Sequence, residues 1–262
     1  MELYDFTLRV QEILETHFPD MAFEFDPDQG VIVSQGLRFS LGNMLAEYRA
    51  AGLEQTEFSR RIVLHFTQAF ALVKDQALVF PSWEVAKPRL RLQLANLEIP
   101  DFVHAITFPF SKTVGSAVVI DAPNGYAYVQ KRNAEMWEQT AVDLIEIARE
   151  NLQAASNRTQ MLQVPTEDGA ALMVTHESDG YAAARVLLPS FRQMLIQSLA
   201  PDSDFVWVGV PNRDFLIAWP DHLDGTTKSA IQQQIALDAK NQHHPLCPVP
   251  LRVTAETIVP DE

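Results

Sequence analysis

A chain of 262 residues, 47% hydrophobic and 21% charged, has material for one large core or two smaller ones and is too apolar for a disordered polymer. Its net charge of −14 disfavours nucleic acid, whose phosphates an acidic surface repels, and the single cysteine, Cys247, excludes an internal disulfide. No window approaches ~18 uninterrupted apolar residues, and the start Met1-Glu2-Leu3-Tyr4-Asp5 lacks the basic flank and apolar run of a secretion signal, so a soluble cytoplasmic protein is expected.

Phe6, Leu8, Val10, Ile13, Leu14 and Phe18 follow helical spacing up to Phe18-Pro19. Ala22–Phe25 and Val31–Val33 flank Asp26-Pro27-Asp28-Gln29-Gly30 and read as a hairpin. Ser40 is placed to cap a helix through Tyr48 that Gly52 ends. A longer helix, about Thr56 to Val79, carries Phe58, Ile62, Phe66, Ala69 and Val73 as a core-facing stripe. Leu90, Leu92 and Leu94 alternate with polar residues as in a half-exposed strand. Val114–Ile120 and Tyr126–Val129 flank an Asn124-Gly125 turn, followed by a helix from about Ala134 to Ala155.

The last third reads as Ala170–Thr175 (strand), Tyr181–Leu199 (helix interrupted at Pro189), Phe205–Val210 and Phe215–Trp219 (strands), a helix capped by Asp224, and a closing strand Leu251–Ile258. That order is βαββαβ, the ferredoxin-like pattern. The expected fold is therefore α+β in three regions: a helix-hairpin-helix region over 1–110, a hairpin and long helix over 111–165, and the βαββαβ unit over 166–262, with one continuous domain as the alternative.

Asp179-Gly180-Tyr181, then Ala184-Arg185-Val186-Leu187, Val210-Pro211, Asp214 and Leu216-Ile217 stand in an order and spacing that resembles the YtpQ-like bacterial family, domain of unknown function 1444. Ala148-Arg149-Glu150-Asn151-Leu152 extends the likeness, which is clearest from about Val118 to Trp219. The resemblance implies a label and no activity, cofactor or mechanism.

The chain has no Gly-rich phosphate loop, Gly-x-Ser-x-Gly, His-Glu-x-x-His or Cys-x-x-Cys, and no cofactor is implied. In a βαββαβ unit the first strand's exit, the central turn and the second helix's exit share one sheet edge. Here they carry His176, Asp179, Asn212-Arg213-Asp214, and His243-His244-Pro245-Leu246-Cys247. His176, Asp179, Arg213 and His243 are thus candidate catalytic residues, and His243, His244 and Cys247 candidate metal ligands. The bland alternatives are a helix-end role for the histidine pair and a small apolar role for Cys247. Arg185, on an apolar turn, needs a carboxylate, with Asp179 or Asp214 the natural partner; a ligand role for Arg185 and Asp214 is the alternative.

Trp207 and Trp219 are placed on opposite faces of adjacent strands as binding candidates, and Phe80, Trp83, Phe108 and Phe110 could line an apolar groove. Two functions compete. One is a non-catalytic module that binds a protein partner through a groove or sheet edge. The other is an enzyme, metal-dependent or not, working at the His/Asp/Arg edge.

Overall fold

The computed structural model describes residues 2–34, 37–51, 55–74, 81–98, 104–122, 125–166, 169–175, 179–241 and 245–261. The chain divides into Met1–Pro81 and Ser82–Glu262. The expected boundary at 110 is thereby corrected. β4 (Leu90–Asn96) pairs along its whole length with β6 (Val114–Ala122), so residues 82–110 belong to the C-terminal unit.

In the first unit, α1 (Leu3–His17) buries Phe6, Val10, Ile13 and Leu14, the face its spacing requires. β1 (Glu24–Asp26) and β2 (Val31–Ser34) form the expected hairpin, with Asp26 opposite Val31. A third strand, β3 (Leu37–Ser40), adds to β2, so Ser40 ends a strand and α2 (Gly42–Ala51) begins after Leu41. α3 (Gln55–Lys74) presents Phe58, Ile62, Phe66 and Phe70 to Phe6, Val10, Leu14 and Ile32. Phe66 is fully buried, and truncating such a side chain costs about 3–5 kcal/mol.

The second unit opens with a short α4 (Trp83–Ala86) that stacks Trp83 on Trp137 at 5.8 Å. β4 and β6 form a four-stranded sheet with β5 (Thr107–Pro109) and β7 (Gly125–Tyr128), which pair with successive parts of β6. Ala122 lies opposite Gly125, so Gly125 of the expected Asn-Gly turn stands in β7, while positions 123–124 are outside the described residues. The expected helix from Ala134 is two helices, α5 (Lys131–Met136) and α6 (Ala141–Ser156). They part where Glu138 takes φ 53° and Thr140 accepts a hydrogen bond from the Asp143 N–H, since a capping box starts a new helix whatever precedes it.

A six-stranded antiparallel sheet completes the unit: β8 (Leu162–Pro165), β9 (Ala171–Thr175), β10 (Phe205–Gly209), β11 (Leu216–Trp219), β12 (Leu251–Thr254) and β13 (Ile258–Pro260), ordered 13-12-10-11-9-8. Between β9 and β10 runs a 3-10 helix (Ala183–Leu187), then α7 (Pro189–Leu199) with Pro189 in its first turn, where a missing N–H costs nothing. α8 (Gly225–Asn241) links β11 to β12, and Asp224 Oδ1 accepts from the N–H groups of Thr226 and Thr227. The βαββαβ order is present, with one strand left between the ends of each crossover. The β10–β11 hairpin holds the sheet's centre, where a ferredoxin-like order places only one of those strands. The expected closing strand is a hairpin, β12 and β13, because Thr254 Oγ1 accepts from the N–H groups of Glu256 and Thr257 and turns the chain.

Alternation along the central strands sends Val206, Val208, Leu216 and Ala218 into one core shared with β4, β6, α6, the 3-10 helix and α7. The opposite face carries Trp207, Ile217 and Trp219 and is covered by Ile231 and Ile235 of α8. Among the described residues no helix is long and apolar enough to cross a membrane.

Candidate functional site

Because β9 runs parallel to β10 and β12 antiparallel to it, the exit of β9, the β10–β11 turn and the approach to β12 fall at one end of the sheet. The segments do meet. Ala183 N–H donates to Arg213 O at 3.0 Å, Leu246 N–H to Pro211 O at 2.9 Å and Cys247 N–H to Val210 O at 3.2 Å. His176, His243 and His244 lie outside the described residues. The side chains that can be placed are Asp179, Arg185, Arg213, Asp214 and Cys247.

Asp179 and Arg185 form the expected tie. Arg185 Nη1 donates to Asp179 Oδ1 at 3.2 Å and Nη2 to Oδ2 at 2.5 Å, the two-pronged geometry that guanidinium and carboxylate favour. The arginine side chain is 1% exposed and the aspartate 42%. Oδ1 also accepts from the Tyr181 N–H at 3.0 Å, closing a turn through Gly180, whose φ of 78° suits a residue without a β-carbon. Both Asp179 oxygens are therefore engaged, Oδ1 by the turn and Arg185 and Oδ2 by Arg185.

Arg213 donates from Nε to Asp214 Oδ2 at 3.3 Å and spreads over the Tyr126 ring at 5.5 Å. Three residues that sequence reasoning passed over as functional, Tyr181, Asp121 and Gln93, complete this lattice. Tyr181 donates its hydroxyl to Asp121 Oδ1 at 2.9 Å, and buried Gln93 donates to Gly180 O at 2.8 Å, joining the four-stranded sheet to the turn. Burial first, and the Asp121 charge second, push the Tyr181 phenol well above its ordinary value. The signal for Tyr181 was its place after Asp179-Gly180; Gln93 and Asp121 carried none.

Cys247 is 1% exposed and its Sγ donates to Val249 O at 3.2 Å. Burial raises the thiol above its ordinary value, the reverse of what activates a nucleophile. Among the described residues no three His, Cys, Asp or Glu side chains gather as metal ligands.

The tryptophan expectation is corrected. Trp207 and Trp219 stand directly opposite each other, so both project from the same face. Trp219 is 1% exposed under α8, and the half-buried Trp207 donates from Nε1 to Asp221 Oδ1 at 2.9 Å. They hold α8 rather than a ligand. Trp83 is likewise committed to Trp137, and Phe80 lies outside the described residues.

Phe108 and Phe110 do border a cleft. It has a volume of about 440 Å³ and opens between β5, α6 and β13. Phe108, Phe110 and Val259 expose 37%, 39% and 49% of their surface at its mouth, while Leu92, Ile145, Leu187 and Ile258 supply apolar wall. Its polar features are two arginines, Arg149 and Arg192, with Ser116, Glu256 and Thr257. The strands at its sides are sheet edges, but each spans three residues and each contains a proline, Pro109 or Pro260. Short, proline-bearing edges offer few backbone donors to an added strand. The cleft therefore presents side chains rather than an open ladder of backbone groups.

An α+β unit built from two sheets around shared helices, with an apolar cleft between their edges, is the class these features define. No protein-family model, curated protein or solved structure matches the chain.

Proposed function

We propose that the chain is a non-catalytic binding module that takes an apolar segment of a partner polypeptide into the β5–β13 cleft. The observation that carries this reading is the grouping of three exposed large apolar side chains, Phe108, Phe110 and Val259, around one concavity. Leaving them in water is unfavourable by about 25 cal/mol per Å² of apolar surface, which an occupant would recover. The volume falls within the usual range for pockets that enclose a ligand.

The competing enzyme reading, for which His176, Asp179, Arg213 and His243 were candidates, draws no support from the two of these that are placed. Asp179 is spent on Arg185 and on the Tyr181 turn, and Arg213 is paired with Asp214. A relationship to the YtpQ-like family remains part of the proposal and adds no chemistry to it. A cytoplasmic setting is proposed on the single, unbridged cysteine and the acidic balance.

The test is a selection. Random octapeptides displayed with free C-termini are panned in parallel over the protein and over a folded Phe108→Ser, Val259→Ser variant. Enrichment of apolar sequences by the parent alone supports the module. No enrichment, or equal enrichment on both, sinks it.

A further inference from the structure

Arg192 forms the polar floor of the cleft. It sits in the first turns of α7, is 8% exposed, and makes four hydrogen bonds, all to main-chain carbonyls. Nε and Nη2 donate to Ala255 O at 3.1 and 2.8 Å, and Nη1 to Val186 O and Leu187 O, both at 3.2 Å. Among the described residues no carboxylate pairs with it within 4.0 Å. Carbonyl dipoles satisfy hydrogen-bonding capacity without cancelling the charge, so this nine-tenths-buried cation leaves a positive potential against an apolar wall. A guanidinium has five N–H groups, and the four bonds leave one N–H of Nη2 uncommitted among the described residues.

Arg149 on α6 adds a second, exposed guanidinium to the same cleft, with no ion pair among the described residues. Glu256 on the rim is the opposing charge and forms no ion pair with either arginine among the described residues. Two positive groups beside an apolar lining stand out in a chain of net charge −14.

Resting on the reading of the cleft as a polypeptide-binding groove, we propose that its occupant is a chain end. The free C-terminal carboxylate is read by Arg192 and Arg149, and the apolar last residues pack against Phe108, Ile145 and Val259. Charge complementarity selects an anion. The net charge of −14 selects one with a single carboxylate among apolar groups over an acidic run, which long-range repulsion would hold off. The proline-bearing edges select an end, whose recognition needs one charge and a pocket, over an internal strand, which needs a ladder of backbone bonds.

The experiment uses fluorescein-labelled hexapeptides with randomised apolar last two positions, made in paired free-acid and C-terminal amide forms, with anisotropy as the readout. Acids should bind at least about tenfold more tightly than their amides, the scale of one charge-assisted hydrogen bond. Arg149→Gln, a surface change that leaves the fold intact, should remove most of that difference while the weaker amide binding persists. Arg192→Lys should reduce it further if the protein folds. Equal binding of acid and amide overturns the carboxylate reading and leaves the apolar cleft standing. An acid preference untouched by Arg149→Gln overturns it too. Failure of both forms to bind defeats this proposal and the polypeptide-binding reading together.

Discussion

Ile235 of α8 rests directly on the backbone of Gly209 in β10: a β-carbon at position 209 would lie 2.3 Å from Ile235 Cδ1 and 3.0 Å from Ile217 Cγ2. α8 is polar along most of its length, and Ile235 is its one fully buried side chain among the described residues. The helix is therefore held by a small apolar contact set beneath Ile231, Ile235 and the Trp207–Trp219 pair. Gly209→Ala should cost about 1–3 kcal/mol through overpacking. Combining it with Ile235→Ala should cost less than the sum of the two single changes, by urea denaturation, because each relieves the other's misfit.

The Asp179–Arg185 pair predicts a second outcome. Asp179→Ala removes two charge-assisted bonds from a guanidinium that is 1% exposed and frees the Tyr181 N–H. The aspartate's partial exposure lets water offset part of the loss, so the expected destabilisation is about 2–3 kcal/mol. Asp179→Asn keeps an acceptor for the turn and should lose less. Equal stability of all three proteins in guanidinium melts would deny the pair its structural role.

Tyr181 makes stability sensitive to alkali. Its phenol is raised in the folded protein, chiefly by burial and then by the Asp121 carboxylate, so the folded form holds the proton more tightly than the unfolded chain. That contribution is complete below the unfolded value of about 10 and is lost as pH climbs above it. The denaturation midpoint should fall as pH rises above about 10, and Tyr181→Phe should flatten the decline at the cost of about 1 kcal/mol at neutral pH. An equally steep decline in the variant would assign the effect to another group.

Cys247 should be chemically silent in the folded state. Its burial keeps the thiol protonated near neutrality. A coloured aromatic disulfide reagent should label it slowly in buffer and rapidly in denaturant. Rapid labelling of the native protein would contradict the buried geometry.

Much of the local architecture was legible because its causes lie within a few residues. Asp224 caps α8 through the N–H groups of Thr226 and Thr227, and Pro189 opens α7 after breaking the preceding turn. β6 and β7 pair as the expected hairpin, Ala122 meeting Gly125. The misreadings were also local in origin. The Thr140–Asp143 capping box was hidden inside a continuous apolar periodicity, and the Thr254 hydroxyl that turns β12 into β13 interrupts no hydrophobic pattern.

Of the candidate site, the Arg185–Asp179 tie was readable because a buried cation demands a neighbouring anion. The faces of Trp207 and Trp219 were not, since register alone sets which residues stand opposite each other. The cleft was half readable: Phe108 and Phe110 stood out as aromatic residues, but nothing in the order of residues joins them to Val259 or Arg192.

By itself, then, the sequence determined an acidic α+β chain with its helix caps, its central hairpins and the pairing need of Arg185. Tertiary structure alone decided the boundary after Pro81, the central place of the β10–β11 hairpin and the meeting of Leu92, Phe108, Ile145, Arg192 and Val259 around one concavity. The division has a physical cause. Caps and turns are settled by bonds between near neighbours, whereas a cleft is the space left when two sheets and their shared helices reach their closest packing.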